Sequence, residues 1–413
     1  MKRPVFNSQT FESLAISKST ANRRNRLSTS GRWIITSKSQ DYNLTQLEHA
    51  AAIAGIKAVS STDFNTKAIR DDLLQDAELL IYPELGMALL GGTPEQKKII
   101  ETRCRSFSIN EEKIIAPPDR IEPEQVSLNT WGIEKTRCHE SPYTGRNVRL
   151  AILDSGFDLH HPDFRNRQIA AESFIEGENS LDSYGHGTHC AGIACGYTNG
   201  RNERYGVALE SEMFIGKVIN RERLSVQSWI LNGLLWAIKQ RCRIISVSIC
   251  QDVQIGQPFD IEYERICNYC ARNGAIIVAA AGNLSNRRTG SIMPISSPAN
   301  SPSVLAVTAV NYDLQLAPFA NGAINDNTRI EIAAPGVQIY SAWPGTSSYR
   351  VLNGTSMATP FVAGILALYC EKHHNKPMNT VINDLRQQAL QLPYHVRDVG
   401  HGFVRAPLGR LMT

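Results

Sequence analysis

Residues 353–369 read NGTSMATPFVAGILALY. No charged residue falls between Phe361 and Tyr369, so a helix made from this run is apolar on every side and belongs inside a large domain. Pro360 is expected in the first turn of that helix, where its missing N–H is not needed. Ser356 then stands at the helix N-terminus, where free N–H groups and the positive end of the dipole favour negative charge. The position suits a hydroxyl that must become an alkoxide, and it equally suits a plain N-cap serine. The stretch points to a buried helix and leaves the role of Ser356 open.

Upstream, nearly continuous apolar runs at 148–153, 213–218, 244–249, 275–281 and 304–310 read as strands. Helical patterns at 226–240 and 261–273 lie between them. Apolar runs without alternation, separated by helices, indicate an α/β fold whose parallel sheet is sandwiched by helices. In such sheets functional groups gather beyond the strand C-termini.

The first part of the chain follows a different grammar. Residues 1–31 read as a flexible basic tail carrying Arg23, Arg24 and Arg26. A strand from Trp33, a helix at 44–56, extended segments at 57–64, 77–82 and 87–90, a helix at 94–104 and a strand at 112–116 follow. Thr93 supplies an N-cap for the second helix, with Glu95 and Gln96 in its first turn. The order strand, helix, strand, strand, helix, strand implies a small α+β domain of split βαβ (ferredoxin-like) type over 32–116. A linker rich in proline and acids, 117–127, leads into a main domain at 128–413.

Composition narrows the function classes. Of 413 residues, 42% are hydrophobic and 20% charged, and the net charge of +4 is too small to argue for nucleic acid or a membrane as partner. No segment approaches the ~20 apolar residues of a membrane span. The polar N-terminus lacks the apolar core of a secretory signal, so a cytoplasmic location is expected, with unconventional secretion as the other route. Nine cysteines, an odd count, read as buried thiols of a reducing compartment. Cys267 and Cys270 form a C-x-x-C with no second pair at zinc-site spacing, and they read as one face of a helix.

Three further stretches make Ser356 specific. Asp154 follows the strand RLAIL directly, His186 sits in YGHGTHCAGIA between two glycines, and Asn283 ends IIVAAAGN. Acid, imidazole, hydroxyl and amide donor are the set that acyl transfer needs. Each has a bland alternative: a turn cap, a core histidine, a left-handed turn, an N-cap. Four such accidents in these four contexts and this order are hard to combine.

These motifs, AILDSG, GHGTH, AAAGN and GTSMATP, resemble the signatures of the subtilisin-like serine proteases, or subtilases, over about residues 128–408. The order Asp, His, Ser is that of subtilisin. The resemblance implies that Ser356 attacks the scissile carbonyl, that His186 takes its proton, that Asp154 holds the imidazolium, and that Asn283 donates to the oxyanion. It also implies that Ser248, Ile249 and Cys250 pair with substrate backbone and wall the primary pocket, opposite Ala280, Ala281 and Gly282. Arg223, Leu224 and Ser225 correspond to a second substrate-pairing segment that is normally glycine-rich.

The departures carry information too. Cys250 replaces a usual glycine, and Ser296, Ser297 and Pro298 stand where the family often has glycine at the pocket floor. Asp163 matches a calcium-ligand position, but its loop partners are altered; the chemistry itself requires no cofactor. His160, His161 and His189 have family positions and structural roles. By the same resemblance the 32–116 domain would be an inhibitory prodomain whose C-terminal tail blocks the cleft, with cleavage between 116 and 128. The expected function is a serine endopeptidase made as a zymogen and acting on peptides or proteins. The alternatives are a dedicated maturation protease for one partner peptide and a non-catalytic peptide-binding protein of the same fold.

Overall fold

A computed structural model of the chain describes residues 29–39, 42–64, 68–69, 77–115, 131–198, 204–345 and 348–409. Most of the expected basic tail, residues 1–28, and the whole expected processing stretch at 117–127 lie outside these described residues.

The N-terminal unit runs β1 (Thr29–Ser37), α1 (Thr45–Ile53), β2 (Ala58–Ser60), β3 (Leu79–Tyr82), β4 (Met87–Leu90), α2 (Pro94–Arg103) and β5 (Phe107–Ile115). Its strands lie in the order β2-β3-β4-β1-β5. Strand alternation divides its apolar residues between two cores. Ile35, Leu79, Ile81, Ala88 and Leu90 face α1 and α2, whereas Ile34, Leu80, Tyr82, Met87 and Leu89 join a core of the larger unit. The Thr93 cap forms a full capping box with Gln96. Two boundaries differ from expectation. β1 takes in Thr29 to Gly31, because Ser30 and Arg32 are both drawn onto Glu112. β5 starts at Phe107, since the mostly polar stretch 108–111 (Ser108, Asn110 and Glu111 around Ile109) still ladders with β1.

The larger unit begins with α3 (Trp131–Lys135), β6 (Arg149–Asp154), β7 (Ile169–Ser173), α4 (His186–Cys195), β8 (Glu212–Lys217), β9 (Ser225–Val226) and α5 (Gln227–Lys239). It continues with β10 (Ile244–Val247), α6 (Ile261–Arg272), β11 (Ile276–Ala280), β12 (Val304–Val310) and β13 (Ile332–Pro335). A two-stranded ribbon, β14 (Ile339–Ala342) and β15 (Tyr349–Leu352), precedes α7 (Thr355–Lys372) and α8 (Met378–Gln388). Seven strands form one sheet in the order β13-β12-β11-β10-β6-β8-β7, parallel throughout. Both faces are buried. Leu150 and Ile152 pack with α4, α7 and α8, while Ala151 and Leu153 pack with α5 and α6. The edge strands β7 and β13 escaped the sequence reading. β7 (IAAES) is half-buried and polar at its end, and β13 is four residues closed by Pro335.

α7 is buried on every side from Thr355 to Cys370, as its composition requires. Pro360, however, lies inside the helix rather than in its first turn. Its absent N–H frees the carbonyl of the residue four earlier, Ser356. That carbonyl accepts from the Ser248 hydroxyl at 3.0 Å and the Cys190 thiol at 3.5 Å, so the helix tolerates the proline. Among the described residues no helix is long and apolar enough to cross a membrane.

Candidate active site

Asp154 closes β6 at the carboxyl end of the sheet and is fully buried. The His186 ring, at the start of α4, donates through Nδ1 to its Oδ1 at 2.8 Å and lies 3.0 Å from Oδ2. Because the acceptor is a carboxylate, Nδ1 must carry the proton and Nε2 is left as the basic nitrogen. Burial opposes the imidazolium, and the Asp154 carboxylate together with the Cys190 sulfur beside the ring outweighs it, so His186 titrates well above the ordinary histidine value. A Cβ at Gly187 would fall 2.2 Å from the Gly156 carbonyl, so glycine there lets α4 approach the end of β6 closely.

Ser356 is the second residue of α7 and only 1% exposed; Gly354 holds the N-cap position, so Ser356 is not a capping serine. Its hydroxyl donates to the Ser248 carbonyl at 3.3 Å. A His186–Ser356 hydrogen bond is not formed among the described residues, a looseness that free catalytic sites commonly show. Asn283 lies just beyond β11. Its Oδ1 accepts from the Thr355 N–H at 2.9 Å and the Thr355 hydroxyl at 2.8 Å. A backbone N–H can only donate, so the amide oxygen is fixed and Nδ2 faces the other way. A Cβ at Gly354 (φ 150°) would lie 3.2 Å from that Nδ2 and 3.6 Å from the Ser356 nitrogen. The two donors thus flank one small space beside Ser356, and glycine keeps it clear.

The segments expected to wall a substrate cleft lie beside this centre. Ser248, Ile249 and Cys250 continue from β10 past Ser356, and Ala280, Ala281 and Gly282 lie at the end of β11. Ser296 N–H donates to the Ala281 carbonyl, and Gln251 and Ser297 exchange backbone hydrogen bonds, so 296–297 closes the space between the walls. Burial pushes the Cys250 thiol up to about 12, leaving it a neutral wall group. On the open side, Ser225 ladders with Ile115, Leu224 is half-buried and Arg223 is exposed.

A model of the subtilase family matches residues 145–402. The chain belongs to the subtilase family. It is 35% identical to subtilisin E of Bacillus subtilis (strain 168) over 260 residues, which is 62% of this chain and 64% of that protein. It is 36% identical to a subtilisin of Bacillus pumilus over 252 residues, 60% of this chain and 86% of that one. The major intracellular serine protease of Bacillus subtilis (strain 168) is 36% identical over 275 residues, 63% of this chain and 81% of that protein. The alignment therefore spans less than two thirds of subtilisin E.

This subtilase turns the one expected calcium-ligand position, Asp163, to other partners. The Asp163 oxygens accept from the Tyr205 hydroxyl at 2.6 Å and the Tyr349 hydroxyl at 2.9 Å. Phenol donors in place of oxygen acceptors do not fit a calcium ion. His161 and His189 are buried, and their Nε2 atoms donate to the carbonyls of Ser348 and of Ile339 and Arg350. His160 is exposed. The one group of potential metal ligands among the described residues is Asp154, His186 and Cys190. There the imidazole and carboxylate already bond to each other, while burial keeps the Cys190 thiol protonated. All nine cysteines are free and buried, Cys267 and Cys270 among them on the inner side of α6.

Three supporting residues escaped the sequence reading. Asp182 accepts from the backbone of Tyr184, Gly185 and Thr188 and from the hydroxyls of Ser155 and Thr188, which fixes the first turn of α4. Its place four residues before His186, ahead of a helix start, was the available signal. Lys217, 1% exposed, donates to the Ser155 and Leu181 carbonyls and pairs with Glu178, tying the Asp182 loop to β8. Asn321 accepts from the Leu284 and Ser285 N–H groups and so holds the chain just after Asn283. Nothing in the local sequence marked it.

Proposed function

We propose that the chain is a serine endopeptidase using Asp154, His186 and Ser356, made with its N-terminal unit as an inhibitory prodomain. The observation that carries the first part is the buried Asp154–His186 pair at 2.8 Å beside a serine in the first turn of a helix buried from Thr355 to Cys370. His186 Nε2 takes the Ser356 proton as Oγ bonds to the carbonyl carbon of the peptide, then gives that proton to the leaving amine. Water deacylates the ester by the same exchange. The developing oxyanion lies between Asn283 Nδ2 and the Ser356 N–H, at the positive end of α7. The chemistry so derived uses no cofactor.

The prodomain reading rests on how the small unit sits. β5 adds to the edge strand β9 through Ile114↔Val226 and Ile115↔Ser225, the strand-addition mode by which extended peptides bind. Glu112, fully buried, accepts from the Ser228 N–H at the start of α5 at 2.9 Å and from Arg32 at 2.6 Å. Lys113 pairs with Asp260 at 2.5 Å. Free buried thiols and the likeness to an intracellular serine protease support a reducing, cytoplasmic setting.

The test is intact-mass analysis with N-terminal sequencing of purified wild type beside Ser356→Ala. The expected result is scission between residues 116 and 128 in the wild type only. Identical scission in the variant would remove self-processing, and failure of the wild type to react with a fluorophosphonate would remove the protease.

A further inference from the structure

The open edge of the cleft carries a charge that the machinery above does not use. Arg223 occupies a left-handed conformation, φ 65°, which a bulky residue adopts only when its surroundings hold it. The turn does hold it. Asn220 accepts from the Arg223 N–H at 3.0 Å through its carbonyl and from the Leu224 N–H at 2.8 Å through its side chain. The guanidinium lies 4.4 Å from the centre of the Tyr184 ring. Tyr184 in turn stacks on His186, with ring centres 5.8 Å apart and planes inclined by 14°. The cation is therefore laid over the catalytic imidazole's neighbour rather than swept into solvent. No carboxylate pairs with it among the described residues.

Chain direction says what meets it. β5 runs antiparallel along the edge, with Ile114 opposite Val226 and Ile115 opposite Ser225. A peptide lying the same way passes Ser225 first and then the turn bearing Arg223, beside His186. The residues it shows to Arg223 thus precede the bond that is cut. Taking the endopeptidase reading as its basis, we propose that Arg223, seated on Tyr184, is a specificity residue selecting substrates with an acidic side chain shortly before the scissile bond.

Fluorogenic peptides placing Glu, Gln or Lys at each of the three positions before the cut test this, using the chain as purified and active-site titration with a fluorophosphonate. At one position wild type should favour Glu over Gln by about three- to fivefold in kcat/KM, as an exposed ion pair allows. The ratio should fall to about one in Arg223→Ala, turn towards Lys in Arg223→Glu, and shrink at high salt. A Glu preference that survives in both variants, or no preference at any position in titratable enzyme, overturns the assignment to Arg223 alone. Enzyme that takes no fluorophosphonate label overturns the endopeptidase reading, and this proposal with it.

Discussion

Helices α4, α5 and α6 start against carboxylates, and α7 does not. Asp182 accepts from the Thr188 N–H at 2.8 Å, Glu112 from the Ser228 N–H at 2.9 Å, and Asp260 from the Glu262 N–H at 3.1 Å. At α7 the corresponding acceptor is the neutral amide oxygen of Asn283. A carboxylate there would cancel the positive end of the dipole that an oxyanion needs. The three filled starts are structural, and on the proposed mechanism the unfilled one is kept for charge that appears only during reaction. Of the three, α5 is filled from outside: its carboxylate belongs to the N-terminal unit, so leaving that unit costs the helix its cap.

The largest effect that sharpens this contrast concerns the base beside α7. Asp154→Asn is expected to lower kcat by about 10⁴, because Nδ1 loses the acceptor that fixes its tautomer. It should also move the rising limb of the pH–rate profile. The carboxylate holds His186 above the ordinary value, and only neutral imidazole can accept the Ser356 proton, so wild-type activity rises at higher pH than the variant's. Stability follows the opposite course. A raised histidine contributes fully below its unfolded value of about 6.5 and loses the contribution as pH climbs through the folded value. The wild-type advantage in Tm should therefore shrink over that interval, and a constant advantage would contradict the ion pair.

Next comes Asn283→Ala, expected to cost about 10²–10³ in kcat with little change in KM, since its amide acts on the transition state. An effect confined to KM would instead make Asn283 a ground-state binding residue and dissolve the distinction between α7 and the other helices.

Glu112→Ala tests the borrowed cap. It leaves Arg32 and the Ser228 N–H buried without their carboxylate, a loss of about 3–5 kcal/mol for a broken buried pair. The N-terminal unit should then detach more readily, seen as faster trypsin cleavage beyond Ile115 and earlier peptide hydrolysis by the intact chain. Unchanged cleavage and onset would show that the apolar face of the sheet alone seats the unit.

The sequence announced the centre of the molecule more fully than its supports. Strands buried on both faces have to be apolar throughout, so β6, β10, β11 and β12 were visible as runs, and the residues at their C-terminal ends could be named. β7 lies at an edge, where one flank is open and composition relaxes, whereas β13 is buried but only four residues long and ends at Pro335, too short a run to stand out. The four residues proposed to react sit in motifs with glycine or small neighbours, which close packing demands. Asp182, Lys217 and Asn321 act through contacts between segments distant in sequence, and such pairings leave no local spacing to read. The position of Pro360 inside α7 was hidden for the same reason. Its tolerance depends on Ser248, more than a hundred residues away.

That dependence yields the smallest and most specific expectation. Ser248→Ala removes the hydroxyl that satisfies the Ser356 carbonyl, leaving the weaker Cys190 thiol, and should lower stability by about 1 kcal/mol. The corresponding fall in Tm is about 1 °C. Pro360→Ala restores an N–H four residues along the helix that can bond the same carbonyl, so in that background the Ser248 hydroxyl becomes redundant. The two substitutions should therefore be non-additive, with a coupling of about 1 kcal/mol in a double-mutant cycle read by thermal unfolding. Additive losses would mean that the carbonyl beneath the nucleophile is satisfied in some other way, and that α7 owes its unbroken start to packing rather than to Ser248.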